Sequence, residues 1–161
     1  MASEESKREM LRHTIATLAY RGGKAVREAP ESFSRFRASE TTRTPAEILA
    51  HIGDLLDWAL SMAKGAEVWH NSKPQSWAQD VDRFHASLAR LDEYLASEED
   101  LACTGERLFQ GAIADALTHV GQLTMLRRIA GSPIRGENYS KADIQSGRVG
   151  AQQAAPRREF D

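Results

Sequence analysis

The sequence predicts an all-α protein: a four-helix bundle with an ordered C-terminal strap. Three observations carry that expectation. Four stretches repeat apolar residues at helical spacing, most of them bounded by start or stop signals. No stretch alternates apolar and polar residues as a half-buried strand would. At 161 residues the chain suits one domain and can bury a core without staples. Amphipathic helices bury their stripes on one another, and four of them do so most simply as a bundle. We therefore read residues 1–161 as a single domain, with the bundle in 1–131 and a tail, 132–161, packed on it.

The first helix is expected from roughly Ser3 to Glu28, with Met10, Leu11, Ile15 and Leu18 at helical spacing and Pro30 as the stop. A linker rich in Ser and Thr follows, pinned to the bundle by Phe33 and Phe36, because two loop phenylalanines rarely both face water. The second helix opens on Thr44-Pro45-Ala46-Glu47, where Thr44 can cap, Pro45 fits the first position and Glu47 can close a capping box. Its stripe is Ile48, His51/Ile52, Leu55, Trp58/Ala59 and Met62, and Gly65 is the stop. The segment Glu67 to Lys73 has no clear period.

A third helix is expected from about Ser76 to Ala96, with Val81, Phe84, Leu88, Leu91 and Leu95 inward. The fourth starts near Thr104 and stops at Gly131-Ser132-Pro133. Its inward stripe is Leu108, Ala112, Asp115/Ala116, His119, Leu123, Leu126 and Ile129/Ala130. In the tail, Tyr139, Ile144, Val149 and Phe160 are spaced along loops, with one short helix expected at Lys141–Gly147.

Composition narrows the function. The 21 basic and 23 acidic side chains give a formal charge of −2, which is not the footprint of a nucleic-acid binder. No apolar run is long enough to span a membrane, and the charged start MASEESKREM lacks a signal core. Cys103 is the one cysteine, so no internal disulfide forms and a reducing, cytoplasmic compartment is expected.

Two stripes contain residues that do not belong in grease: His51 on the second helix, and Asp115 with His119 one turn apart on the fourth. An unpaired carboxylate among alkyl groups costs several kcal/mol or neutralises itself. A divalent cation would offset that cost, taking two imidazole nitrogens and one carboxylate oxygen and leaving a coordination position open, as in catalytic rather than structural zinc. Two alternatives use no metal: a hydrogen-bonded Asp–His cluster, or an Asp115 at the stripe's edge that touches water. A di-metal oxidase would need glutamates and paired Glu-x-x-His, which the inward stripes lack.

The stretches TPAEILAHIGDLLDWAL and ALTHVGQLTMLRRIAGSP resemble the DinB/YfiT-like superfamily of metal-dependent bundle proteins. His51 matches that family's histidine a few residues after a capped helix start. His119, with Gly121-Gln122, matches the second histidine of its last helix. Asp115 stands where the family's first histidine is usual. Aspartate is still a competent ligand, but the swap leaves the metal open: zinc or nickel first, then manganese or iron. The resemblance implies an up-down-down-up bundle, His51, Asp115 and His119 as ligands, and an enzyme acting on a small molecule. The reaction implied is a thiol-dependent transfer or isomerisation, with a low-molecular-weight thiol as partner, or a hydrolysis. A non-catalytic stress-response or small-ligand-binding bundle is the other reading. A homodimer is expected by analogy, because bundles with an exposed apolar face often pair.

Other residues carry weaker signals. Asp54, three positions after His51, could orient it, although a solvated helix-face aspartate is commoner. Gln122 could hydrogen-bond near the open position, and Gly121 could let helices approach or simply weaken its helix. His70 reads as a loop residue; His13 and His85 read as solvated. Trp58, Trp69, Trp77 and Tyr20 could line a pocket, but aromatics on bundle helices are more often core. Arg127 and Arg128 suit the helix end and could hold the tail through Glu137, Asp143 or Asp161.

Overall fold

The computed structural model describes residues 3–160. Helix α1 spans Glu4–Val26, α2 Pro45–Ala63 and α3 Trp77–Ala96. The fourth rod is built from α4 (Gly105–Leu108), a π-helical turn (Phe109–Ile113) and α5 (Ala114–Ile129), which follow one another without a break. The fold is therefore a mostly helical, four-helix arrangement with one small sheet.

Side chains set the helix starts. The Ser3 hydroxyl accepts from the Ser6 N–H, and Thr104 accepts from the Arg107 N–H. Thr44 and Ser76 complete capping boxes with Glu47 and Gln79. Each such cap is worth about 1 kcal/mol. Two stops are glycines in the left-handed region, Gly65 at φ 72° and Gly131 at φ 79°. α1 ends before the expected Pro30, at Val26, and its last carbonyls find an unexpected donor. Arg127 Nη1 bonds the carbonyls of Ala25 and Arg27, both at 3.0 Å, and its Nε bonds the Ser132 carbonyl at 2.8 Å. Arg127 thus does not pair with Glu137 or Asp143; Asp161 lies outside the described residues. The Arg127 donors are spent on three backbone acceptors at two helix ends.

α1 and α2 each pack against α3 and α5, which closes the four rods around one core. Leu11, Ile15, Leu18, Ile52, Leu56, Leu88, Leu91, Leu108 and Leu123 are among its members. Met10 and Ile129, expected inward, are exposed. Met10 sits one residue, about 100° of helix, from Leu11, which takes the core position. Ile129 lies in the final turn, past the last buried stripe residue, Leu126. Phe33 is buried edge-on to Trp77, 5.6 Å between centroids, and Phe36 packs beside it on the core. The linker is pinned as the sequence predicts.

The tail differs from expectation. Two short strands, β1 Gly136–Glu137 and β2 Glu159–Phe160, pair antiparallel, and a 3-10 turn covers Tyr139–Lys141. Two-residue strands are too short to show alternation. The helix expected at Lys141–Gly147 does not form. So short a segment cannot recover the cost of nucleation. The Asp143 carboxylate instead accepts from the Gln145 amide, and Gly147 turns left-handed at φ 89°. Glu137 is buried, with the Tyr20 hydroxyl at 2.7 Å and Lys24 Nζ at 2.9 Å, and Lys24 also reaches Glu159 at 3.2 Å.

Candidate metal centre

α2 and the first turns of α5 face each other, and their polar intruders meet. One donor atom from each of His51, Asp115 and His119 lies within 4.8 Å of the others. Asp115 divides its oxygens between the rings: Oδ2 is 3.7 Å from His51 Nε2, and Oδ1 is 3.4 Å from His119 Nε2. The two imidazoles meet edge to face, 4.7 Å between centroids. The three residues singled out from sequence therefore form a group that could hold a metal ion.

The distances discriminate between readings. A nitrogen and an oxygen sharing a proton sit at roughly 2.7–3.2 Å, so the gaps of 3.4 and 3.7 Å are not those of a closed hydrogen-bonded cluster. Tetrahedral ligands each about 2.1 Å from one ion stand roughly 3.4 Å apart. The two gaps lie near that span, and one donor atom from each of the three residues lies within 4.8 Å of the others.

The remaining nitrogen of His119 fixes its orientation. Nδ1 lies 2.7 Å from Gln122 Oε1 and donates to it, which leaves the lone pair on Nε2, facing Asp115. An outward N–H bonded to an oxygen is the usual support of a ligating imidazole. Gln122 thus serves the histidine and not the open position; an i, i+3 pair on one helix faces the same way. Burial pulls the His51 pKa below the ordinary imidazole value, helped by the charges of His119 and Arg43 and opposed by Asp115. The neutral ring so favoured is the form that binds metal.

Burial is uneven across the trio. The His119 and His51 side chains retain 11% and 19% of their exposure, but Asp115 keeps 47%. Asp115 does lie at the edge of the stripe. The cost of a buried carboxylate therefore does not demand a cation, and the case rests on convergence and spacing. An open edge is also where a third molecule could reach the group.

The wall over His51 comes from the loop after α2. Trp69 stands edge-on to the His51 ring at 5.6 Å and to Trp58 at 5.8 Å, and Trp58 Nε1 donates to Glu67 at 3.1 Å. Asp54 holds the loop. Fully buried, it accepts from the Ser72 N–H at 2.8 Å and hydroxyl at 2.7 Å, and pairs with Arg83 at 2.7 Å. It neither orients His51 nor faces water, because Arg83 crosses α2 above Gly53 to claim it. A Cβ at Gly53 would come within 2.9 Å of the guanidinium. Arg83 carries no sequence signal of its own. Nor does the π turn that ends at Ile113, two residues before Asp115, although such turns recur at functional sites.

The remaining candidates lie elsewhere. His70 is an exposed loop residue and His13 is solvated, as expected. His85 is not solvated: it is half-buried under the tail, where Nδ1 donates to the Val149 carbonyl at 3.3 Å. Trp77 packs on Phe33, and Tyr20 serves Glu137. Burial raises the Cys103 thiol pKa, the wrong direction for a nucleophile. Gly121 does not bring helices together; a Cβ there would meet nothing within 4 Å.

Comparison with protein-family models, curated proteins and solved structures finds no match. The chemistry of the centre is thus read from its own atoms. No helix among the described residues is long and apolar enough to cross a membrane.

Proposed function

We propose that this chain is a DinB-like, metal-dependent protein in which His51, Asp115 and His119 hold one divalent ion, zinc or nickel. The observation that carries the proposal is the spacing of the three donor atoms, with His119 Nδ1 already committed to Gln122. The up-down-down-up topology belongs to the same reading. It is supported by contacts along the rods. Arg8 and Arg12, early in α1, reach the end of α3, whereas Asp54 and Asp57 of α2 meet Arg83 and Arg90 of α3 in the same order. A C-terminal strap is supported by the Glu137 and Val149 contacts, and a cytoplasmic setting by the lone cysteine.

An ion at this place would supply Lewis acidity, acidifying a water or thiol or polarising a carbonyl. The chain's own part is to present His51, His119 and Asp115, shield one side with Trp69, and leave the Asp115 edge open. That suits a small-molecule substrate in a thiol-dependent transfer or a hydrolysis. The non-catalytic, ligand-binding reading also has one observation in its favour. Asp54, the carboxylate nearest to His51 in sequence, is fully committed to Ser72 and Arg83 and so is not free to act as a base beside the trio.

Elemental analysis of protein purified without an affinity tag is the direct test. The expected result is close to one equivalent of zinc or nickel per chain. Added nickel should quench the fluorescence of Trp69 and Trp58, which stand in line from His51. Protein that carries no metal, and whose tryptophan emission ignores added zinc and nickel, would end the proposal.

A further inference from the structure

A cleft of about 770 Å³ opens beside His119, between α2 and α5, within the size range of small-molecule sites. Its floor is Ile48 and Leu126, both buried, and its outer wall is Met125 and Ile129, which remain 60% and 55% exposed. Gly121 keeps it wide, since a side chain there would project into open space. Methionine suits such a wall because it adapts to varied apolar shapes.

One cation stands in this apolar surface. Arg43 lines the cleft, and among the described residues it makes no hydrogen bond or ion pair. No acidic side chain lines the cleft. Glu47, on the first turn of α2, is spent on the Thr44 N–H at 2.7 Å and faces Arg37 at 3.6 Å. Arg43 and His119 line the same cleft, so a molecule held by Arg43 lies beside the candidate metal centre. By contrast, a cleft of about 890 Å³ at the start of α1 is lined by Glu4, Glu5, Glu9, Glu98 and Asp100, and its Arg8 is already bonded to carbonyls.

We propose that the cleft binds a small molecule with an apolar body and a single anionic head of the carboxylate type. The body lies on Ile48, Met125 and Leu126, and the head bonds Arg43, whose fork matches a carboxylate. The metal reading enters only for the head's second contact, at the open edge of the trio; the body and Arg43 do not depend on it.

Isothermal titration calorimetry with octanoate tests this, with 1-octanol and octylamine as neutral and cationic matches of the same chain. Octanoate is expected to bind about tenfold tighter than either, the worth of one charge-assisted hydrogen bond. Arg43→Ala should bring octanoate down to the level of octanol. Gly121→Leu, whose Cβ would meet nothing within 4 Å and whose side chain would occupy the cleft, should abolish all binding. Metal content, measured on the same samples, should be unchanged in both variants. Octanoate that binds no better than octanol, or binding indifferent to Arg43→Ala, overturns the proposal. Octanoate binding that depends on Arg43 in protein that takes up no metal sustains the cleft and removes the metal reading; metal-loaded protein without the preference does the reverse. If octanoate does not bind and sedimentation shows that Gly121→Leu splits a dimer, the cleft belongs to a second copy and the proposal is overturned.

Discussion

Lys24, Glu137, Tyr20 and Glu159 form a knot in which Glu137 and Glu159 each meet Lys24 within 3.2 Å. His51, Asp115 and His119 instead face one another across 3.4 and 3.7 Å, with no lysine or arginine bonded to any of them among the described residues. Each group gathers titratable side chains from separate parts of the chain. The first is closed: Glu137 is wholly buried, its oxygens are taken by Tyr20 and Lys24, and burial pushes the Tyr20 hydroxyl pKa above its ordinary range, with the Glu137 carboxylate adding to it. The second is open: one donor atom from each residue lies within 4.8 Å of the others, and the outer nitrogen of His119 bonds Gln122. A polar cluster that balances itself ties chain segments together. One whose donor atoms converge without bonding has the form of a ligand site.

That contrast predicts opposite responses to deletion. In the closed knot, Lys24→Met leaves the Glu137 carboxylate buried without its counter-charge, which should cost about 3–5 kcal/mol. The double variant Lys24→Met/Glu137→Leu should recover most of it, because well-packed apolar pairs often equal buried ion pairs. In the open trio, His119→Ala and Asp115→Ala should each lose most of the metal; metal-free stability in urea should change little in Asp115→Ala and fall modestly in His119→Ala, which also loses the bond to Gln122. Elemental analysis beside urea denaturation reads both arms. Full metal occupancy in either ligand variant would show that the trio is not the site.

A smaller effect is expected from Gln122. Removing the oxygen that holds His119 Nδ1 should weaken zinc or nickel 10–100-fold, the usual worth of such a support. Gln122→Glu, which keeps an acceptor, should restore it. Asp115→His should retain a metal site, since its imidazole would start from the same helix position. Competition with a chelator of known affinity measures all three.

The trio was legible because its signal is local. Asp115 and His119 are four residues apart, and each of the three replaces an apolar residue in an otherwise regular stripe. The caps were legible for the same reason: Thr44 and Glu47 are three residues apart. What stayed hidden joins distant segments. Asp54 finds Ser72 across 18 positions and Arg83 across 29, and Lys24 finds Glu137 across 113. Asp54 looked like a support for His51 because the sequence shows separation along one helix and not the arginine arriving from another. The dry interior expected around Asp115 failed for a related reason. A stripe shows which face turns inward, but not how far from its edge the next helix stands.

The smallest expected effect separates the tail from the metal centre. His85 lies under the tail against Phe84, 5.0 Å between ring centroids, with Nδ1 donating to the Val149 carbonyl. Burial lowers its pKa, with the Val149 carbonyl and the Asp82 charge opposing and Arg27 assisting. The folded state thus resists a proton that the unfolded chain accepts near pH 6.5. Below that value the unfolded state binds more protons, so stability supplied by neutral His85 is present above about pH 6.5 and falls as the solution is acidified. His85→Gln keeps a donor for Val149 and does not titrate. Urea midpoints at pH 7.5 and pH 5 should therefore lie closer together in His85→Gln than in the parent protein. The contributions of His51 and the carboxylates are common to both proteins and cancel in that difference. An unchanged gap would mean that the tail lifts away before His85 is protonated, and that the closed knot at Lys24, not the contact at His85, holds residues 132–160 in place.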